Sequence, residues 1–227
     1  MMAKPEPYRS PVDQLLALGE PQNLRDRIGA VEKWRDYRTM GLTEADADEL
    51  VRLMSDRRLH TVREESPEVW AGLHAWRALG QFRAAQAVGP LLGLLDFFEK
   101  REDDWGLEEA PVVLGMIGAA AIGPTAAYLA DATHGLYARV AASAALCEVG
   151  KLHPDCREAC VMALTDRLAN GRWNGPELNG FLVSHLLELR ANEAAPVVKR
   201  AFAVGQVDPS IVGDWEDVRE QFGEDGL

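Results

Sequence analysis

The amino-acid sequence predicts an all-α fold, an α-α superhelix of about four to five helix pairs. Two observations support this class. Alanine and leucine dominate the apolar residues, and both favour helices because they lose little side-chain freedom there. Three similar tripeptides also recur at a nearly constant spacing, each before an apolar, helix-like run. Hydrophobic residues make up 47% of the 227, which is enough for a substantial core.

The recurring tripeptides are, in chain order, Val88-Gly89-Pro90, Ile122-Gly123-Pro124 and Ala194-Ala195-Pro196. The first two prolines are 34 residues apart and the third follows after 72, or two periods of 36. Proline suits the first turn of a helix, where its missing N–H has no partner in any case. Each tripeptide therefore predicts a helix start, and each repeat reads as two helices joined by a tight turn.

The elements follow from these starts and from apolar residues at helical spacing. We predict an extended segment over 1–22 and one solenoid domain over 23–227. Within the domain, an irregular capping pair over 23–60 holds helices over Leu24–Tyr37 and Thr43–Met54, with Thr43 and Asp46 at capping-box spacing. The four repeats are expected at 66–98, 106–131, 135–170 and 176–205, and a C-terminal cap at 208–227.

The predicted helices of the repeats come in pairs: Pro67–Leu79 with Gly89–Phe98, Leu107–Ile117 with Pro124–Ala130, Leu136–Val149 with Asp155–Ala169, and Pro176–Leu189 with Ala195–Val204. A last short helix is expected over Asp214–Phe222, because terminal repeats of a solenoid are atypical where one face meets water. Gly115, Gly118 and Gly123 lie in a helical context, where we expect them to allow close packing.

Five segments carry a resemblance to a family: His74–Gly80 (HAWRALG), Asp103–Trp105 (DDW), Met116–Gly118 (MIG), Leu136–Arg139 (LYAR) and Val212–Val218 (VGDWEDV). Together with the period of the helix pairs, they resemble an uncharacterised bacterial family of HEAT-repeat proteins. The resemblance runs from about Trp34 to Phe222 and implies an armadillo-like α-solenoid, with no activity attached. Some relatives carry a zinc-binding SEC-C module, which we do not expect here because no cysteine follows Cys160. Tetratricopeptide repeats share the 34-residue period and rank second.

Composition excludes several classes of function. The net charge is -12 and the pI about 4.9, which disfavours binding to a phosphate backbone or to an anionic membrane. No apolar run is long enough for a membrane span. Three cysteines and a polar N-terminus without an apolar stretch do not indicate a secreted disulfide scaffold. We therefore expect a cytoplasmic protein with no cofactor, no nucleic-acid partner and no membrane partner.

Candidate binding residues combine tryptophan, arginine and acidic side chains, because such residues dominate interface energies and attract charged partners. They are Trp76, Arg77, Asp103, Asp104, Trp105, Arg139, Asp214 and Trp215. A second cluster contains ligand types that zinc accepts, namely Cys147, His153, Cys156 and Cys160. Its spacing lacks paired C-x-x-C knuckles, and Cys156 and Cys160 continue an apolar stripe. Core packing therefore ranks ahead of a metal site.

The sequence contains no H-E-x-x-H, no G-x-S-x-G and no P-loop, so no reaction centre is recognised. The leading hypothesis is a non-enzymatic scaffold that binds a protein or peptide, of basic character, through its concave face and its acidic, Trp-containing loops. The alternative is an enzyme on the same fold, resembling either the DNA glycosylases that remove alkylated bases or the phycobilin lyases. Fold analogy alone supports these two enzyme classes.

Overall fold

The structure is a computed structural model that describes residues 6–21, 31–62 and 65–222. Its α-helices are α1 (Ala47–Met54), α2 (Ala71–Gln81), α3 (Val88–Lys100), α4 (Asp104–Ile117), α5 (Ala119–Ala130), α6 (Leu136–Leu152), α7 (Arg157–Ala169), α8 (Pro176–Glu188), α9 (Ala195–Ala203), α10 (Pro209–Val212) and α11 (Trp215–Phe222). These described ranges contain no β-strand, and the predicted all-α class is confirmed. None of their helices combines the length and the apolar character needed to cross a bilayer.

The chain divides into two compact units, Met1–Leu94 and Leu95–Leu227, and the division falls inside α3. The predicted domain boundary at residue 22 lies outside the described residues, as do parts of the predicted N-terminal segment, capping pair and C-terminal cap.

Helix α2 is the centre of the first unit. All of its residues from Ala71 to Gly80 are buried, including the polar ones. It packs against α1 and against the short 3-10 helix Val12–Ala17, whose Leu15 is fully buried. The predicted capping box precedes α1, because the Thr43 N–H donates to the Asp46 carboxylate at 2.9 Å.

Residues 6–9 are held against α1 by one charged pair. The Arg52 guanidinium donates to Glu49 at 2.6 Å and to the carbonyls of Glu6 and Pro7 at 2.9 and 3.0 Å. The backbone N–H of Arg9 also donates to Glu49, at 2.8 Å. These bonds, that from Arg52 above all, lower the pKa of Glu49 to about 2, although its partial burial opposes the shift.

The second unit consists mainly of α4 to α9 in an alternating pattern of contacts. Helix α4 packs on α6 and α6 on α8, while α5 packs on α7 and α7 on α9. Gly115 permits the closest of these approaches, because a Cβ there would lie 2.6 Å from Glu148 Cβ on α6. Gly118 has a φ of +85° and separates α4 from α5. By contrast, Gly123 meets nothing within 4 Å, so the close packing predicted for it is wrong.

Two arginines and one asparagine join these helices. Arg139 is 5% exposed and donates to Leu129 O and to Asn174 Oδ1, both at 3.0 Å. Arg167 donates to Ala130 O at 3.1 Å and to the same Asn174 oxygen. Leu129 and Ala130 are the last two residues of α5, whose terminal carbonyls have no partners within their own helix. The two guanidinium groups therefore satisfy the C-terminus of α5.

The asparagine extends this network to the rest of the unit. Asn174 Nδ2 donates to Arg167 O at 3.1 Å and to Asn179 Oδ1, on α8, at 2.7 Å. Asn179 in turn donates to Gly171 O at 3.0 Å and to Gln206 O, beyond α9, at 2.7 Å. One connected set of hydrogen bonds thus reaches from α5 to the segment that follows α9.

At two of the three predicted helix starts, the proline lies in the first turn of a helix. Pro90 is the third residue of α3 and Pro196 the second residue of α9. Pro124 is instead the sixth residue of α5, so the start predicted there is wrong. The preceding helix ends at Ile117 as predicted, but the next helix begins at Ala119, directly after Gly118 and five residues before Pro124.

The N-terminal capping pair also differs from the prediction. A helix was expected over Leu24–Tyr37, of which residues 24–30 lie outside the described part of the chain. The described remainder holds only short 3-10 helices, Val31–Lys33 and Tyr37–Met40. The Tyr37 N–H donates to the Gln81 side chain at 3.1 Å, and that side chain donates to Arg35 O at 2.8 Å. The backbone N–H of Tyr37 and the carbonyl of Arg35 therefore bond to a side chain of α2, and not to each other's neighbours as they would in the predicted helix.

We expect Asn174→Ala to lower the free energy of unfolding by about 3 kcal/mol, because it leaves two partly buried guanidinium groups without their shared acceptor. Urea unfolding followed by circular dichroism measures this. The matched control is Asn170→Ala, at an exposed position four residues earlier, which should change stability by no more than about 0.5 kcal/mol. Equal effects of the two substitutions would contradict the structural role of Asn174.

Glu49 should make stability depend on pH in acid. A carboxyl with a lowered folded-state pKa stabilises the fold above its ordinary value of 4.5, and this contribution is lost as the pH falls towards about 2. The stability difference between wild type and Glu49→Gln should therefore be largest above pH 4.5 and shrink below it. Glu68→Gln, at an exposed site, is the control and should leave the pH dependence of wild type unchanged. If the difference in unfolding free energy between wild type and Glu49→Gln stayed constant across this pH range, the lowered pKa of Glu49 would be refuted.

Candidate functional site

A polar cavity of about 350 Å³ opens in the first unit. Its lining comes from three places, the end of the 3-10 helix Val12–Ala17 and the turn after it, residues 33–37, and α2. Among the residues that the structure describes, the lining consists of Leu18, Glu20, Pro21, Lys33, Arg35, Tyr37, His74 and Arg77. The cavity therefore brings three cationic side chains and one carboxylate together in a chain whose net charge is -12.

A buried tyrosine and histidine form one wall. Tyr37 Oη lies 2.6 Å from His74 Nδ1, and His74 Nε2 lies 2.9 Å from Gly19 O. The carbonyl oxygen can only accept, so Nε2 carries the proton and Nδ1 accepts from the tyrosine hydroxyl. Burial lowers the pKa of His74 to about 4. The ring is neutral near pH 7, and this wall adds no positive charge.

Two guanidinium groups act on the same imidazole. Besides burial, the charges of Arg77 and Arg35 lower the pKa of His74, which places both near the ring. Arg77 is 4% exposed, and its guanidinium lies 4.5 Å from the centre of the Trp34 ring. Arg35 is exposed, and its backbone carbonyl is fixed by Gln81. One guanidinium is thus fixed in the wall and the other lies at the surface.

This arrangement suits the binding of an anionic group. Guanidinium and ammonium groups donate charge-assisted hydrogen bonds to carboxylates and phosphates, and these bonds are stronger than neutral ones. The histidine does not suit a general base, because Tyr37 already occupies its free nitrogen. His74 is therefore not placed to take a proton from a ligand.

Of the predicted binding residues, Arg77 alone lines the cavity. Trp76, its neighbour, is 3% exposed and stacks on His60, with ring centres 6.2 Å apart. Its ring is thus part of the core, which leaves little of it to a partner, and the binding role expected for it stays a prediction.

The acidic residues predicted near Trp105 and Trp215 start helices. Asp103 accepts from the Gly106 N–H at 3.1 Å and caps α4. Asp214 accepts from the N–H groups of residues 216 and 217 and holds the start of α11. These bonds follow from the preference of aspartate for helix N-termini.

The other candidates at these two helix starts differ in exposure. Asp104 is exposed, whereas Trp105 and Trp215 are half-buried. The Trp215 ring packs against Phe202, with ring centres 6.0 Å apart. Arg139, the remaining candidate, is buried, and its guanidinium donates to Leu129 O and Asn174 Oδ1. Its expected binding role stays a prediction.

The zinc candidates do not converge. No group of three or more potential metal ligands occurs among the residues that the structure describes. Cys147 is 1% exposed, and its thiol donates to His185 O at 3.7 Å, whereas His153 bonds to Gly115 O at 2.9 Å. Burial raises the pKa of Cys147, and that of Cys160 to about 11, which disfavours the thiolate that would bind a metal.

Sequence reasoning missed most of the cavity: Glu20, Lys33, Arg35, Tyr37 and His74. Two signals point towards it. Residues 33 to 38 hold three cations in an acidic chain, and α2 carries His74 and Arg77 one turn apart in an otherwise apolar run. Polar residues inside a wholly buried helix need partners, so they indicate a built polar site.

No protein-family model, no curated protein and no solved structure matches this chain. The resemblance to HEAT-repeat proteins therefore remains a prediction.

The burial of Trp76 predicts a loss of stability when it is removed. Trp76→Ala should lower the free energy of unfolding by about 4 kcal/mol, because it empties a large core site. Trp173→Ala is the matched control, since this tryptophan is 65% exposed and should matter by about 0.5 kcal/mol at most. Chemical denaturation of both variants measures the difference. If Trp76→Ala were as stable as wild type, the ring would not be part of the core.

Proposed function

We propose that this protein is a non-enzymatic binding protein, and that the cavity of the first unit receives an anionic group of its ligand. The observation that carries the proposal is the convergence of Lys33, Arg35 and Arg77 on one polar cavity in an acidic chain. A carboxylate and a phosphate share the required chemistry, because both accept several charge-assisted hydrogen bonds.

The HEAT-like solenoid is part of the same proposal. The contacts of α4 with α6, of α6 with α8, of α5 with α7 and of α7 with α9 support it within the second unit, because stacked helix pairs bring each helix against its counterpart in the next repeat. The expected protein or peptide partner of basic character stays a prediction, as do the glycosylase-like and lyase-like alternatives. The cavity favours binding over catalysis because its histidine is neutral and its ring nitrogens are occupied.

Acetate and inorganic phosphate are suitable first probes, because one supplies a carboxylate and the other a phosphate. We expect titration of at least one of them to shift the amide resonances of residues 18–20, 33–37 and 74–77, as followed by NMR. Arg35→Glu should weaken this binding at least about tenfold, because it reverses one of three charges while leaving the backbone bond to Gln81 in place.

The charge-matched control is Arg172→Glu, an exposed position in the second unit, which should leave the titration unchanged. Shifts of equal size in both variants would indicate unspecific ion effects. Absence of shifts in wild type with either probe, up to about 10 mM, would refute the proposal.

A further inference from the structure

A histidine of the second unit is held between two carboxylates. His134 lies in the turn between α5 and α6, and its Nδ1 is 2.7 Å from Oδ2 of Asp96 on α3. Its Nε2 is 3.9 Å from Oδ2 of Asp131, three residues earlier in the chain. The side chains of His134 and Asp131 are 24% and 50% exposed. This pair therefore lies at the surface and not in the core.

The ring of His134 is fixed in one orientation. It stacks on the Tyr128 ring, with the ring centres 3.6 Å apart and the planes 10° apart. Asp96, which contacts Nδ1, is itself fixed, because its other carboxylate oxygen accepts from the Gly135 N–H at 3.1 Å. Stacking and the bond to Asp96 together leave Nε2 facing Asp131.

The bond to Asp96 also decides which ring nitrogen carries the proton. Burial favours the neutral form of the Asp96 carboxyl, but the hydrogen bonds that it accepts, first of all from the Gly135 N–H, outweigh burial and lower its pKa. A carboxylate can only accept, so Nδ1 donates to it. In the neutral imidazole, Nε2 then keeps its lone pair.

This arrangement has the chemistry of a metal-binding histidine. Histidine ligands of metals donate their second N–H to a carboxylate, which fixes the tautomer and makes the ligating nitrogen more basic. Asp131 supplies an oxygen of the type that zinc accepts beside that nitrogen. Tetrahedral bonds of about 2.1 Å require donor atoms about 3.4 Å apart. The half-exposed Asp131 side chain therefore has to close by about 0.5 Å from its present distance.

Two protein ligands make an open site. No group of three potential ligands occurs in the described part of the chain, so water fills the remaining positions. We infer that His134 Nε2 and the Asp131 carboxylate bind one divalent transition-metal ion of the zinc type, with Asp96 as the positioning residue of the imidazole. An imidazole nitrogen favours such ions over Mg²⁺ and Ca²⁺, which prefer oxygen ligands alone. All three residues belong to the second unit, so the inference does not rest on the proposed function.

Isothermal titration calorimetry of the full chain with Zn²⁺ tests the site. We expect wild type to bind Zn²⁺ with a Kd below about 1 mM, and His134→Ala to lose this binding. Asp131→Asn should weaken it at least about tenfold, because it removes the charged ligand yet keeps an oxygen acceptor for the Thr133 N–H. Asp166→Asn, at an exposed position on α7, is the matched control and should bind Zn²⁺ as wild type does.

Asp96→Asn tests the positioning role with a readout that packing alone would not change. The Gly135 N–H still requires an oxygen, so the amide NH₂ of the asparagine faces His134 Nδ1 and donates to it. The imidazole proton then moves to Nε2, which can no longer bind a metal. Zn²⁺ affinity should fall at least about tenfold. The ¹⁵N chemical shifts of the imidazole should report the change of tautomer, while the helical circular dichroism stays unchanged.

The opposite results overturn the inference. If His134→Ala or Asp131→Asn binds Zn²⁺ as tightly as wild type, the ion is held elsewhere in the chain. If wild type binds no Zn²⁺ up to about 1 mM, the pair is not a metal site. If Asp96→Asn changes the tautomer but not the affinity for Zn²⁺, Nε2 is not the ligating atom. None of these results bears on the cavity of the first unit, which the acetate and phosphate titrations test separately.

Discussion

The helices of the second unit are joined through two arginine side chains, Arg139 and Arg167. Their hydrogen-bond acceptors among the described residues are backbone carbonyls and an asparagine side chain, not carboxylates. Burial lowers the pKa of both Arg139 and Arg167, and for Arg139 the nearby charge of the other guanidinium contributes as well. Their acceptors are the last two carbonyls of α5 and one side-chain oxygen of Asn174. The C-terminus of a helix carries a partial negative charge, so these carbonyls replace the missing carboxylate in part.

This constraint fixes the geometry of several elements at once. Each guanidinium requires both the end of α5 and Asn174 in place, and Asn174 requires Asn179 on α8. Hydrogen bonds of a buried polar network are directional, and a network with one member missing leaves a charge unsatisfied. Packing of alanine and leucine alone would tolerate small shifts between the helices, whereas this network sets where α5 to α8 meet.

The sequence predicts those elements whose cause is local. Helices α6 and α8 begin at the expected residues, because apolar spacing and Pro176 act within a few residues of the start. Prediction from the sequence fails where an element or a side chain is fixed by residues far away in the chain, or where two similar local patterns have different outcomes. Pro124 resembles Pro90 in its local sequence, yet the helix that contains Pro124 already begins at Ala119, directly after Gly118. Arg139 resembles a binding residue because nothing nearby in sequence reveals an acceptor 35 positions away.

The cavity is also not predictable from local sequence. Its charged residues come from separate segments, and two of those segments lack helical periodicity. Tyr37 and Gly19 reach α2 through hydrogen bonds to the two ring nitrogens of His74, over 37 and 55 positions of the sequence. Apolar spacing reports only contacts within a few residues, so it cannot indicate which separate segments a buried histidine will join.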